Sequence, residues 1–223
     1  MSKPTESDWT KLKREVRYLK GAPRCVLTFR YQHLPDHLDI WVDSDFAGCK
    51  KSRKSTSGGV MLFGRSIIKT WSTNQAVIAL SSGEAEYYAL VKGASTGIGM
   101  TSLLQDLGIG GRKIRLMTDS SAVVGICNRL GTGKVRHIEV NQLWVQEKVA
   151  HGLISIHKVD GKVNRADALT KPVSAEELRA HTDMLGIQIR SDRHPLAPEL
   201  EKEDISTMEL EDLDEGDGPE GGG

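Results

Sequence analysis

Four acidic residues stand at positions where carboxylate chemistry is expected. Asp43 and Asp119 follow apolar runs that predict strands. Glu86 lies near the start of a helical stretch, and Asp167 opens a short segment before a proline. Strand ends and helix starts meet at one edge of an α/β sheet. Clustered carboxylates repel each other unless cations neutralise them, and hard oxygen ligands favour Mg²⁺. Two such ions about 4 Å apart would activate water and stabilise the leaving oxygen in phosphodiester cleavage.

The hydrophobic pattern predicts the elements that must position these acids. Alternation and β-forming residues predict strands at 38–42, 58–63, 66–71, 113–117 and 153–159, with a possible short strand at 25–29. Helical spacing predicts helices at 7–21, 82–107, 120–130, 137–150, 165–170 and 174–185. Ser7 and Ser82 are predicted caps, and glycines at 93–99 suggest a break. Three close strands followed by alternating helices and strands indicate an α/β mixed sheet covered by helices.

Six segments occur in an order and spacing that resemble a known family. They read WVDSDFAG at 41–48, STSGG at 55–59, SSGEAEYYAL at 81–90, TDSSA at 118–122, RHIE at 136–139 and ADALTKP at 166–172. Together they closely resemble the ribonuclease H domain of copia-type LTR retrotransposon polyproteins, over about residues 38–172. The resemblance implies a ribonuclease H-like fold, which is a five-stranded mixed sheet with its first three strands antiparallel and flanked by helices.

The resemblance also implies cleavage of the RNA strand of RNA–DNA hybrids with two divalent ions. These would be Mg²⁺, with Mn²⁺ as a possible substitute, held by a D-E-D-D set. By motif position the catalytic and metal-binding set is Asp43, Glu86, Asp119 and Asp167. Asp45 competes with Asp43, which directly follows the strand. Glu84 competes with Glu86, and the two point about 200° apart on a helix, so both cannot bind one ion.

Histidine is missing from the short link before Asp167, at 160–166, where cellular ribonucleases H carry one that assists catalysis. His157 lies ten residues before Asp167 and is predicted to lie within a strand. We therefore expect His157 to be structural rather than catalytic.

Candidate substrate contacts lie beside the acidic motifs. The basic segment 50–54 can hold phosphates, and small polar side chains can bond sugar hydroxyls. The predicted substrate-binding residues are Ser44, Lys50, Lys51, Arg53, Lys54, Ser120, Arg136 and Asn164. A solvated hairpin loop is an equally good interpretation of segment 50–54.

The charge distribution divides the chain, although its net charge is zero. Residues 191–223 contain twelve acidic and two basic residues, and residues 1–190 contain 18 acidic and 28 basic residues. A basic body indicates a polyanionic partner, and the aromatic-free acidic tail is predicted to be disordered. The predicted domains are a helix and connector at 1–37 that resembles the tail of a reverse transcriptase region, a ribonuclease H-like domain at 38–186 and an acidic disordered tail at 187–223.

These features together predict a metal-dependent endonuclease that acts on RNA–DNA hybrids. A reverse transcriptase domain in a parent polyprotein is a further expected partner, and no apolar stretch is long enough to predict a membrane span. The lack of an apolar leader and of paired cysteines indicates an intracellular location, cytoplasmic or nuclear. The alternative is a catalytically weak or inactive nucleic-acid-binding module from a truncated or repurposed transposon gene, because no polymerase motif accompanies the acids.

Overall fold

The computed structural model describes residues 3–131, 143–192 and 194–196, which form two compact units. The terminal unit comprises the described residues up to Cys25 and from Ile189 onward, and the central unit comprises the described residues between them. Two short strands lie at the borders, β1 (Arg24–Leu27) and β7 (Ile187–Arg190). Strand β7 occupies the start of the segment predicted to be a disordered tail, because Ile187 packs against an apolar cluster of the central unit. The predicted domain borders stay a prediction.

The terminal unit contains helix α1 (Glu6–Gly21), which has no buried residue. Its N-cap is Thr5 rather than the predicted Ser7. The Thr5 hydroxyl accepts a hydrogen bond from the Asp8 backbone N–H, and the Asp8 carboxylate accepts one from the Thr5 N–H. This reciprocal pair starts the helix two residues earlier than the sequence pattern suggests.

A five-stranded sheet forms the centre of the central unit. Its strands are β2 (His37–Ser44), β3 (Thr56–Phe63), β4 (Ser66–Asn74), β5 (Lys113–Thr118) and β6 (Ile154–Lys158). They lie in the order β4-β3-β2-β5-β6. The β2–β3 and β3–β4 pairs are antiparallel, and the β2–β5 and β5–β6 pairs are parallel. The predicted ribonuclease H-like fold is therefore confirmed.

Helices flank this sheet. They are α2 (Ser82–Asp106), α3 (Ser121–Cys127), α4 (Trp144–Ala150) and α5 (Ala175–Met184). The predicted helix at 165–170 is a shorter 3₁₀ turn, Asp167–Leu169. The predicted residues 137–142 of another helix lie outside the described residues. None of the helices in the described part of the chain is long and apolar enough to cross a membrane.

Helix α2 is continuous, so the break predicted at its glycines is wrong. Its cap is Ser81, which accepts from the Glu84 N–H, rather than Ser82. A Cβ at Gly93 would lie 2.6 Å from Val42 Cγ1, and one at Gly97 would lie 2.6 Å from Ile40 Cδ1. These glycines let the helix approach β2 closely, and this contact outweighs their low helix propensity.

Candidate active site

Three carboxylates meet at the end of two neighbouring strands. Asp43 lies near the end of β2, Asp119 directly follows β5, and Glu86 is the fifth residue of α2. The parallel β2–β5 register pairs Trp41 with Met117, two residues before each aspartate. One carboxylate oxygen from each acid lies within 4.8 Å of the others. We call Asp43, Glu86 and Asp119 the carboxylate triad.

Burial makes the triad unfavourable when every member is ionised. Burial raises the pKa of Glu86 to about 8, and the charges of Asp43 and Asp119 add to the rise. The pKa of Asp43 is also raised, first by burial and then by the nearby Asp167 and Asp119 charges. Oε2 of Glu86 is buried and makes no hydrogen bond to the described residues. Three close oxygen donors, one of them unsatisfied, fit a hard divalent cation.

Thr170 holds the Asp43 carboxylate by a hydrogen bond. Its hydroxyl donates a hydrogen bond to Asp43 Oδ2, which opposes the burial-driven rise of the Asp43 pKa. Gly58 lies opposite Asp43 in the β2–β3 register, and a Cβ there would lie 2.7 Å from Thr170 Cγ2. Gly58, the first glycine of the STSGG segment, therefore makes room for the chain segment that carries Thr170.

Asp167 lies beside the triad rather than within it. Its carboxylate forms an ion pair with Lys171 Nζ at 2.6 Å, and His181 Nε2 lies 3.9 Å from its other oxygen. The charge of Asp167 still contributes to the raised pKa of Asp43 and of Glu86. The structure thus brings three of the four predicted acids into one cluster and places the fourth within its electrostatic field.

The competing acids have other partners. Asp45 accepts a hydrogen bond from the Thr56 N–H and so shapes the loop after β2. Glu84 is 3% exposed and accepts from the Leu80 N–H and the Tyr88 hydroxyl, both at 2.7 Å. Neither belongs to the triad.

His157 lies on β6 as predicted, with its Nε2 2.9 Å from the Ser155 hydroxyl.

The basic loop, Lys50–Lys54, carries four of the predicted substrate-binding residues. Lys50, Lys51 and Arg53 are exposed and Lys54 is half-buried. Within the described ranges their side chains make no ion pair or hydrogen bond, so their charges are available to an external anion. Ser44 and Ser120 are half-buried near the triad, and Ser120 also caps α3.

Asn164 does not fit its predicted role as a sugar contact. Its side chain is fully buried, donating to the Val42 carbonyl at 3.1 Å and accepting from the Ala166 N–H at 3.2 Å. It therefore ties the segment before Asp167 to strand β2, next to Asp43. Arg136, the last predicted contact, lies outside the described residues.

Comparison with known proteins shows which sequences the chain resembles. No family model matches it. It is 28% identical over 188 residues to the retrovirus-related Pol polyprotein from transposon TNT 1-94 of Nicotiana tabacum, and 29% identical over 189 residues to that from transposon RE1 of Arabidopsis thaliana. Each alignment covers 84% of this chain. Over most of its length the chain is therefore similar in sequence to retrovirus-related Pol polyproteins of plant transposons.

The chain spans 14% and 13% of the length of those two relatives. Among solved structures it is similar to the N-terminal RNase H domain of Rv2228c from Mycobacterium tuberculosis, with 19% identity and a TM-score of 0.44. That similarity covers 66% of this chain and 96% of the other.

Three polar residues near the acids are not indicated as functional by the sequence patterns. Thr170 and Lys171 belong to the ADALTKP segment, in which only the aspartate is a predicted site residue. His181 lies on α5 with its side chain 12% exposed, and its Nδ1 is buried without a hydrogen-bond partner among the described residues. The position of Thr170 and Lys171 within the motif is a usable signal, whereas nothing in the local pattern around His181 indicates its contact with Asp167.

Proposed function

We propose that this protein is a metal-dependent endonuclease that cleaves the RNA strand of RNA–DNA hybrids. The carboxylate triad carries this proposal, because three oxygen ligands within 4.8 Å lie at the carboxyl ends of β2 and β5. The ribonuclease H-like fold and the homology to Pol polyproteins support a nuclease of retrotransposon origin. The motif resemblance supports the hybrid as substrate.

In this proposal the triad holds one divalent cation and Asp167 contributes to a second, with Mg²⁺ the expected ion and Mn²⁺ a substitute. Such ions lower the pKa of water and neutralise charge on a leaving oxygen. The protein itself orients the ligands. Thr170 holds the Asp43 carboxylate, and Lys158 Nζ donates to the Asp119 carbonyl at 3.2 Å and to the Ser121 hydroxyl at 2.5 Å.

Substrate binding is assigned to the basic loop and to the hydroxyls beside the triad. The cations of Lys50–Lys54 would bind backbone phosphates, which position nucleic acid without reading its sequence. Ser44 and Ser120 would contact sugar hydroxyls, which distinguish RNA from DNA.

A reverse transcriptase domain of a longer polyprotein is the further proposed partner, because this chain spans 14% of its TNT 1-94 relative. An intracellular location is part of the same proposal.

The test is cleavage of a labelled RNA–DNA hybrid by the full chain in Mg²⁺, in Mn²⁺ and in chelator. We expect metal-dependent loss of the RNA strand, and we expect Asp43→Asn to abolish it without lowering the unfolding temperature, because that substitution keeps the shape but removes a ligand charge. Asp45→Asn is the matched control, since Asp45 serves the loop, and it should retain cleavage. Retained cleavage by the Asp43→Asn variant would overturn the assignment of the carboxylate triad as the active site. If the unmodified chain binds the hybrid but does not cleave it in either metal, the proposed nuclease activity is overturned and a binding module is favoured.

A further inference from the structure

Lys171 occupies a position between the acidic cluster and an adjacent groove. Its Nζ lies 2.6 Å from Asp167 Oδ1, while its side chain is 54% exposed. The hydrogen bond with Asp167 raises the pKa of Lys171, and the charges of Asp43 and Asp119 add to the rise. The ammonium group therefore stays charged and lies within the field of the whole cluster.

The same lysine lines a polar groove of about 400 Å³ next to the cluster. The other polar lining residues are Thr56, Ser72, Thr73, Asn74 and Thr170. A second lysine reaches its wall, because Lys92 Nζ donates to the Thr73 hydroxyl at 2.5 Å. The lining contains hydroxyl, amide and ammonium groups but no carboxylate among the described residues. Groups of this kind contact the phosphates and sugars of nucleic acids.

A divalent cation and the Lys171 ammonium compete for Asp167. Both carry positive charge, and like charges a few ångströms apart repel each other strongly where water is partly excluded. A cation that takes Asp167 as a ligand therefore weakens the ion pair that holds Lys171. The flexible lysine side chain lets the released ammonium group move into the groove that it already lines. There it would bind a backbone phosphate of the nucleic acid.

We propose that Lys171 is a substrate-binding residue that exchanges Asp167 for a backbone phosphate of the nucleic acid when a divalent cation binds. The inference rests on the proposed function and deepens it, because it couples cation binding to substrate binding at one residue. Such coupling is reciprocal, so the nucleic acid must also strengthen cation binding.

The test uses the full chain and its Lys171→Gln variant in two binding measurements that involve no cleavage. Calorimetry with Mn²⁺ alone should show roughly three- to fivefold tighter binding to Lys171→Gln, because the variant has lost the competing ammonium of a half-exposed ion pair. Hybrid affinity is measured by fluorescence anisotropy with a 2′-O-methylated RNA strand that is not cut. With Mn²⁺ present, the variant should bind more weakly, and its salt slope should fall by about one. Without metal, both proteins should bind alike.

Two matched variants complete the test. Lys113→Gln makes the same change of charge at the start of β5, opposite the end that carries Asp119, and should change neither quantity. Lys171→Arg keeps the charge and should restore hybrid affinity with Mn²⁺ present, which separates a charge effect from a folding defect.

The proposal is overturned if Lys171→Gln binds Mn²⁺ no more tightly than the unmodified chain. It is equally overturned if hybrid affinity falls by the same factor with and without metal, because Lys171 would then be a permanent phosphate contact. Failure of the nuclease proposal is distinguishable, since it would appear as intact unmodified hybrid while both binding measurements can still be made.

Discussion

At the scale of single residues, Glu86 shows how the site depends on its surroundings. Its ordinary pKa of 4.5 rises to about 8 through burial and through the charges of Asp43 and Asp119. A large part of the metal-free protein therefore carries a proton on Glu86 at neutral pH. Cation binding requires the ionised form, so binding releases that proton.

This pKa predicts how stability depends on pH in the presence of a chelator. The folded state keeps a proton on Glu86 that the unfolded chain loses above about pH 4.5. Because the folded state binds more protons between the two pKa values, its free energy of unfolding falls as pH rises through that window and levels off above about pH 8. We expect Glu86→Gln to flatten this fall in urea unfolding experiments.

Glu147→Gln is the control for this prediction, because Glu147 is exposed on α4 and the change of charge is the same. It should leave the pH dependence as it is. A Glu86→Gln protein with the slope of the unmodified chain would show that another group holds the proton.

At the scale of elements, helix α2 carries Glu86 and must lie close to β2, which carries Asp43. The close approach depends on Gly93, where an added Cβ would lie 2.6 Å from Val42 Cγ1. We expect Gly93→Ala to lower the free energy of unfolding and to weaken Mn²⁺ binding, because the helix must shift away from the strand next to Asp43.

Gly99→Ala is the matched variant in the same helix, since an added Cβ there would meet nothing within 4 Å. It should raise the free energy of unfolding by about 0.5–1 kcal/mol through helix propensity alone and leave Mn²⁺ binding unchanged. Denaturant unfolding and calorimetry measure both effects. Equal stabilisation by the two alanines would contradict the tight packing at Gly93.

The basic loop is the second element whose role can be measured. Four side chains at Lys50–Lys54 carry charges that no described residue neutralises, and the loop directly precedes β3. If they bind phosphates, replacing Lys50, Lys51, Arg53 and Lys54 together by Gln reduces the salt slope of hybrid binding by about one for each phosphate that the loop no longer binds. An unchanged slope would favour the solvated hairpin loop that the sequence leaves open.

At the scale of the whole molecule, charge is separated along the chain. Residues 197–223 contain eleven acidic residues and one basic residue, whereas residues 1–190 carry a net charge of +10. An acidic segment tethered to the protein repels nucleic acid. It also attracts the basic side chains of the protein that would otherwise bind the nucleic acid.

We therefore expect deletion of residues 197–223 to increase hybrid affinity at low salt. The gain should disappear toward 1 M salt, where the screening length is about 3 Å. A tail of equal length with every Asp and Glu changed to Asn and Gln separates charge from length, and it should behave like the deletion. Equal affinity of the full and shortened chains at low salt would show that the tail does not act on nucleic acid binding.

The predicted strands follow from local patterns, and the three triad acids follow from those patterns together with the motif resemblance. Alternating residues place the ends of β2 and β5, and each end carries the aspartate that the sequence motifs indicate. Helix geometry shows only that Glu84 and Glu86 face different sides, and the motif resemblance is what selects Glu86. The ribonuclease H-like topology follows from the order of strands and helices together with six motifs.

Only the tertiary structure decided how the acids are held. The Thr170 bond to Asp43 joins residues 127 positions apart, and the Asn164 bond to Val42 joins residues 122 positions apart. No periodicity within a window of a few turns reports such contacts. For the same reason local patterns suggest a substrate contact at Asn164 and a helix break at Gly93, and they give Lys171 no role, since each of these residues depends on a partner that lies elsewhere in the fold.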